Sequence, residues 1–230
     1  MFIGTDQRAT AIPYAARNPA NVTFVLAHGA GAGQNSPFIV SFARGLAARG
    51  IDVLTFNFLY TEQQRRMPDR RDKLEAFYRT AIAAAREHFG RDAVFIGGKS
   101  MGGRIATHLA ADDDASKLGI AGVVLLGYPL HPPGKPEQLR TAHLPRIRVP
   151  MLIVQGERDP FGTPDELRPI LDKMTARVTL HVVENGDHSL APSRRAEEVT
   201  RTYSDIQDVI AGYLDSIAKS ANREGHQGPW

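Results

Sequence analysis

Six short apolar runs recur along the chain: Val22 to Ala27, Val53 to Phe58, Val94 to Gly97, Val123 to Leu126, Met151 to Gln155 and Val178 to Val183. None alternates cleanly with polar residues, which is the pattern of strands covered on both faces. Between most of them the apolar positions switch to helical spacing. Phe38, Phe42 and Leu46 recur at every fourth position between Ser36-Pro37, an N-cap with a first-turn proline, and Gly50. Leu74, Phe77, Tyr78, Ala81, Ile82 and Ala85 make a second stripe that ends at Gly90. Thr163 and Glu166 have the spacing of a capping box around Pro164. Val199, Tyr203, Ile206, Ile210, Tyr213 and Ile217 share one face of a last helix. Strands alternating with helices predict an α/β fold, a doubly wound, mainly parallel sheet of about six to seven strands with helices on both faces. The pattern predicts one domain over 1–219 and a polar C-terminal tail over 220–230. Tyr128 to Pro150 lacks a period and holds prolines at 129, 132, 133, 136, 145 and 150. It reads as a loop with one short helix at most, too short for a large lid domain.

Composition narrows the classes of function. With 42% hydrophobic and 23% charged residues, the 230-residue chain is an ordinary globular sequence, not a disordered or collagenous one. It has no cysteine, which removes disulfide scaffolds, thiolate zinc sites, iron–sulfur clusters and a cysteine nucleophile together. No apolar run approaches the roughly 20 residues that span a bilayer, and the N-terminus lacks a basic-then-apolar leader pattern. A cytoplasmic protein without membrane attachment is expected. A net charge of +3 with scattered arginines gives no reason to expect nucleic acid as a partner.

The third run leads directly into Gly98-Lys99-Ser100-Met101-Gly102 and then a helix-like segment. This is G-x-S-x-G in strand–turn–helix context, where a serine on a tight, strained turn can present its hydroxyl and the glycines make room for the turn. The following helix aims its N-terminal amides at the place where negative charge would develop. A glycine turn that merely packs helix on sheet is the plainer alternative. Gly98-Lys99-Ser100 also spells the end of a phosphate-binding loop, but Ala93 stands where that motif needs glycine and Val94 to Ile96 are strand-like.

In such sheets ligands bind beyond the carboxyl ends of the strands. The fifth run ends in Gly156-Glu157-Arg158-Asp159-Pro160 and the sixth in Glu184-Asn185-Gly186-Asp187-His188-Ser189, so Asp159 and His188 reach the same sheet edge as Ser100 in the chain order Ser, Asp, His. His188 is expected to take the serine proton and Asp159 to orient the imidazole. Glu157 sits immediately after the strand and Asp187 is adjacent to the histidine, both less suited to reach the ring. His28-Gly29-Ala30-Gly31-Ala32-Gly33 follows the first run, and an amide there, preferably that of Ala30, can complete an oxyanion hole with that of Met101. The same segment lacks the third glycine of a dinucleotide motif because position 34 is glutamine. His28 reads as a brace for this loop. Tyr60, Tyr128 and Phe161 are candidate substrate contacts by their positions after strands.

From about Val22 to Ile217 the chain resembles the α/β-hydrolase superfamily. The phrases LAHGAGAG, GGKSMGGR, GYPLHPPGK and QGERDPFG look like one small branch that includes a testis-expressed hydrolase-like protein, a subunit of the nonspecific-lethal histone acetyltransferase complex and uncharacterised bacterial proteins. The resemblance implies a serine hydrolase that cleaves a small-molecule ester or related acyl bond through an acyl-enzyme, with Ser100, Asp159 and His188 as triad, Met101 and Ala30 as oxyanion donors, and neither metal nor cofactor. The chromatin-complex relative implies the alternative, an interaction module on a hydrolase fold with little or no activity.

Overall fold

The apolar runs become strands of one eight-stranded sheet in the computed structural model, which describes residues 1–4, 8–112 and 115–225. Six strands run parallel: β3 (Val22–Ala27), β4 (Asp52–Phe56), β5 (Ala93–Lys99), β6 (Ile120–Leu126), β7 (Met151–Gly156) and β8 (Val178–Val183). Two short N-terminal strands, β1 (Phe2–Ile3) and β2 (Ala9–Tyr14), add antiparallel pairings beside β4. The spatial order is β1-β2-β4-β3-β5-β6-β7-β8, which reverses direction around β3 and carries the chain to both sides of it. The extra pair exceeds the strand number expected from sequence. β1 has two residues and β2 carries Pro13, so neither shows the sustained apolar run by which the others are recognised.

Helices cover both faces. α1 (Pro37–Ala48) and α6 (Ala196–Gly225) bury Phe42, Leu46, Ile206 and Ile210 against Phe24 and Leu26 of β3. On the other face α3 (Arg71–Phe89) and α4 (Met101–Ala110) bury Tyr78, Ile82, Ile105 and Leu109 against Val25 and Ile96. Each such side chain contributes about 1.5–3 kcal/mol relative to exposure. Two short helices complete the set, α2 (Leu59–Glu62) and α5 (Pro164–Leu171), and the second opens with the reciprocal Thr163–Glu166 capping box. Gly90 ends α3 in the left-handed conformation at φ 60°.

α6 continues through Gly225, into the segment the sequence suggested as a polar tail; 226–230 lie outside the described residues. Tyr128 to Pro150 contains one three-residue 3-10 turn, Leu144–Arg146, and is pinned to the core by buried Tyr128, Leu130, Leu144 and Ile147. Among the described residues no helix is long and apolar enough to cross a membrane.

Candidate active site

Ser100 stands between the last residue of β5 and the first of α4, with φ 50° and ψ −114°. A non-glycine residue in this region carries strain of about 1–3 kcal/mol and persists only where its surroundings hold it. Ser100 N donates to the Leu126 carbonyl at 3.0 Å, and the Arg104 amide donates to the Ser100 carbonyl at 3.0 Å. The end of β5 and the start of α4 both pack directly on the end of β3: a Cβ at Gly98 would collide with the Ala27 carbonyl, and one at Gly102 would lie 2.6 Å from the His28 carbonyl. Behind the turn, the buried Tyr78 hydroxyl accepts from Gly97 N at 2.8 Å and turns its one proton toward the carbonyls of Gly97 at 2.5 Å and Val25 at 2.8 Å, tying α3 to β5 and β3. Sequence periodicity shows Tyr78 only as one more core position.

His188 lies in the turn after β8. Asp187 shapes that turn through its Oδ1, which accepts from Ser189 N at 2.7 Å and Ala191 N at 3.1 Å. The ring then reaches across the sheet edge, placing His188 Nε2 2.9 Å from Ser100 Oγ and His188 Nδ1 2.8 Å from Asp159 Oδ2. A carboxylate only accepts, so Nδ1 carries the proton, and Nε2 is left to accept from the serine hydroxyl. Asp159 is 1% exposed and doubly held: Oδ1 accepts from Phe161 N at 2.8 Å and Oδ2 from Gln155 Nε2 at 3.0 Å. Of the neighbouring carboxylates, Glu157 is taken up by Asn185 N at 2.7 Å and Asp187 by its own turn, so Asp159 is the one that meets the imidazole. Gln155 escaped the sequence reading. Its fully buried amide also bonds Gly162 O at 2.7 Å and accepts from Tyr128 N at 2.8 Å, knitting the ends of β6 and β7 together.

The same framework appears in comparison with known proteins, where residues 20–217 match the family model described as an alpha/beta hydrolase domain. The chain belongs to the α/β-hydrolase family. Solved structures of similar fold include an alpha-beta serine hydrolase homologue from Coxiella burnetii, with 17% identity, TM-score 0.73, and 93% of this chain and 96% of that one covered. A serine hydrolase without lid from Xanthomonas campestris has 17% identity and TM-score 0.70 over 96% and 93% of the two chains. The esterase domain of a Rhodothermus marinus protein has 14% identity and TM-score 0.67 over 94% and 97%. At these identities the likeness establishes the fold.

In this α/β-hydrolase a cavity of about 610 Å³ opens beside Ser100. Ala30 and Met101 both line it, and the Met101 amide, first in α4, has no intrahelical acceptor. Phe161 also lines it and stacks on the His188 ring at 4.1 Å between centroids. Tyr60 and Tyr128 do not. Both are 1% exposed: Tyr60 packs among Phe58 and His28, and Tyr128 turns inward so that its hydroxyl donates to the Arg140 carbonyl at 2.7 Å. A position after a strand brings the backbone to the sheet edge but leaves the side chain to follow the core when it is large and apolar. His28 is fully buried; its Nδ1–H donates to Gly29 O at 2.8 Å and its Nε2 accepts from Phe58 N at 3.2 Å, bracing the loop after β3. Burial pushes its pKa down, in keeping with that neutral tautomer.

Lys99, the residue before the turn, also lines this cavity, and its buried Nζ has no hydrogen-bond partner among the described residues. Burial pushes its pKa down to about 8, opposed in part by Asp159 and Asp187. A lysine that is unperturbed when unfolded and near 8 when folded penalises the folded state while it stays charged, and the penalty fades as pH rises from about 8 towards 10.5. Lys99→Met is therefore expected to stabilise the protein at neutral pH by on the order of 1–3 kcal/mol, several degrees in Tm. That gain shrinks above pH 8 and closes near pH 10.5. Thermal melts of both proteins across this range test it; a lower Tm for the variant at neutral pH would show that the ammonium is a net stabiliser through the two aspartates.

Proposed function

We propose that the protein is a serine hydrolase that cleaves small esters or related acyl bonds through an acyl-enzyme on Ser100. The observation that carries the reading is the unbroken chain Ser100 Oγ, His188, Asp159 at 2.9 and 2.8 Å. In the forward step His188 Nε2 takes the hydroxyl proton as Oγ attacks the carbonyl carbon, and Asp159 stabilises the imidazolium through Nδ1–H. The oxyanion of the tetrahedral intermediate is held by the amides of Met101 and Ala30, beside the positive end of α4. Collapse expels the alcohol, which takes the proton back from His188. Water activated by the same nitrogen then releases the acid. The four motifs quoted from the sequence place this chain, in our reading, within the small branch they resemble, and a cytoplasmic location goes with it. The Rhodothermus marinus esterase domain and the lidless Xanthomonas campestris hydrolase support the choice of ester chemistry in an open site.

Labelling with a fluorophosphonate probe reports an activated serine whatever the substrate. A single adduct on Ser100 by mass spectrometry is expected, and a folded protein left unlabelled would favour the interaction module instead. Acyl length is a second test. Phe38, Ile39, Leu74 and Ile105 provide apolar lining, but the cavity is bounded by Arg71, Arg104 and Arg140. Each buried methylene adds about 0.8 kcal/mol only while apolar wall lasts. Activity on p-nitrophenyl esters from acetate to palmitate is expected to peak at short acyl chains, with no jump where the substrate forms an emulsion. A maximum at laurate or longer, with such a jump, would contradict an open site.

A further inference from the structure

Among the described residues the cavity beside Ser100 is lined by four cations, Arg71, Lys99, Arg104 and Arg140, and by a single carboxylate, Asp69, which is already bound by Arg65 at 2.6 Å. Arg104 lies one helical turn beyond Ser100 on α4, hence on the same side of the helix. Its Nε is buried without a hydrogen-bond partner among the described residues. Arg140 reaches in from the proline-rich segment after β6, and its guanidinium donates to the Pro129 carbonyl at 3.4 Å. Arg71, at the start of α3, is largely exposed and contacts Glu75 at 3.1 Å. Among the described residues no carboxylate pairs with Arg104 or Arg140.

These three arginines come from separate parts of the chain, yet all border both the Ser100 cavity and a second recess beside His108 and His143. The field of Arg71 and Arg104 is felt by the neighbours. His108 is pushed down to about 4 and His143 to about 3, in each case by burial first and then by surrounding positive charge that includes Arg71, Arg104 and Arg146. Burial and Arg104 together also lower the proton affinity of Arg140. Solvated surface arginines would have water to satisfy them, but the Arg104 Nε does not. Like charges gathered around a donor without a partner are unfavourable until an anion enters. A guanidinium fork suits the paired oxygens of a carboxylate or phosphate.

We propose that the Ser100 cavity selects esters that carry a second, anionic group, held by Arg104 and Arg140 with Arg71 at the rim. The inference rests on Ser100 being the nucleophile. The reach of the arginine side chains into the cavity sets the spacer between anion and scissile carbonyl, so esters of graded spacer length are compared. Initial rates by pH-stat decide it. Monoethyl glutarate and monoethyl adipate carry a carboxylate on the acyl side, butyryloxyacetate carries one on the alcohol side, and 2-phosphoethyl butyrate supplies a phosphate; ethyl pentanoate and ethyl hexanoate are the neutral references. At least one anionic series is expected to exceed the neutral esters by about tenfold or more in kcat/KM. That ratio should fall towards unity in Arg104→Gln, be partly retained in Arg104→Lys, and shrink with added salt. Neutral esters turned over as well as all anionic ones by an enzyme whose Ser100 takes the fluorophosphonate would overturn the proposal while leaving the hydrolase reading intact. So would a ratio unchanged in an Arg104→Gln, Arg140→Gln double variant. Absence of labelling in folded protein would instead remove the hydrolase reading, and with it selection by turnover. In that case calorimetry with adipate still reads the site: Arg104-dependent binding would sustain the anion pocket, and no binding would overturn it.

Discussion

Ser100→Ala is expected to fold as the parent does and to lose roughly 10⁴- to 10⁶-fold in kcat on any ester the parent cleaves. The fold should survive because the hydroxyl serves no structural end. Ser100 makes no side-chain cap bond to α4, and its Oγ contact is the one to His188. Alanine meets the same backbone strain at φ 50° and fills the same space short of one oxygen. The rate should collapse because, in serine proteases, removing the nucleophile costs nearly as much as removing the whole triad; what remains comes from the oxyanion donors and binding. Circular dichroism and a thermal melt establish the fold, and turnover by a preparation free of host esterases establishes the rate. Activity within tenfold of the parent would remove Ser100 from the chemistry altogether.

Asp159→Asn should be nearly as damaging, at about 10⁴ in kcat by analogy with the same change in serine proteases. The hydrogen bonds around Asp159 show why an amide cannot substitute. Oδ2 accepts from both His188 Nδ1 and Gln155 Nε2, and Oδ1 accepts from Phe161 N. All three neighbours donate, whereas an asparagine offers one accepting oxygen and one donating nitrogen. If its oxygen faces Phe161, the amide nitrogen opposes Gln155 and turns His188 to the tautomer with the proton on Nε2, which can no longer accept from Ser100. If the amide flips, it opposes the Phe161 N–H instead. A loss of stability of about 1–3 kcal/mol should therefore accompany the loss of rate. Glu157→Gln and Asp187→Asn should cost far less in rate, because those carboxylates accept from backbone amides of the turns around Asn185 and Ser189. A crippling Asp187→Asn beside an active Asp159→Asn would reverse the assignment.

Ser100, Asp159 and His188 could be proposed from one dimension because each lies one to five residues beyond a parallel strand. In a parallel sheet all such positions meet at one edge, so strand patterning and chain order suffice to bring them near one another. Thr163 and Glu166 were legible for a different reason, since a capping box is satisfied within one turn of its own helix. The N-terminal strands were not, because two residues of β1 and a proline-containing β2 carry too little periodic signal. Tyr60 and Tyr128 show the limit of the same reasoning. Their backbones reach the sheet edge, but large rings gain more from burial than from lining a cavity open to water.

The sequence by itself thus determined the α/β architecture, the strained turn at Ser100 and the partners that follow in order, because local pattern and the fixed handedness of crossovers constrain those features strongly. Tertiary structure alone decided what surrounds them. Gln155 behind Asp159, Tyr78 beneath the turn, the unpaired Lys99 and the wall of Arg71, Arg104 and Arg140 depend on the rotation of α3 and α4 over the sheet and on how the prolines of 128–150 lay that segment down. No short window of sequence encodes such distances. They arise when segments remote along the chain pack to close contact, and there side chains exchange water for one another or, as at the Arg104 Nε, for no hydrogen-bond partner among the described residues.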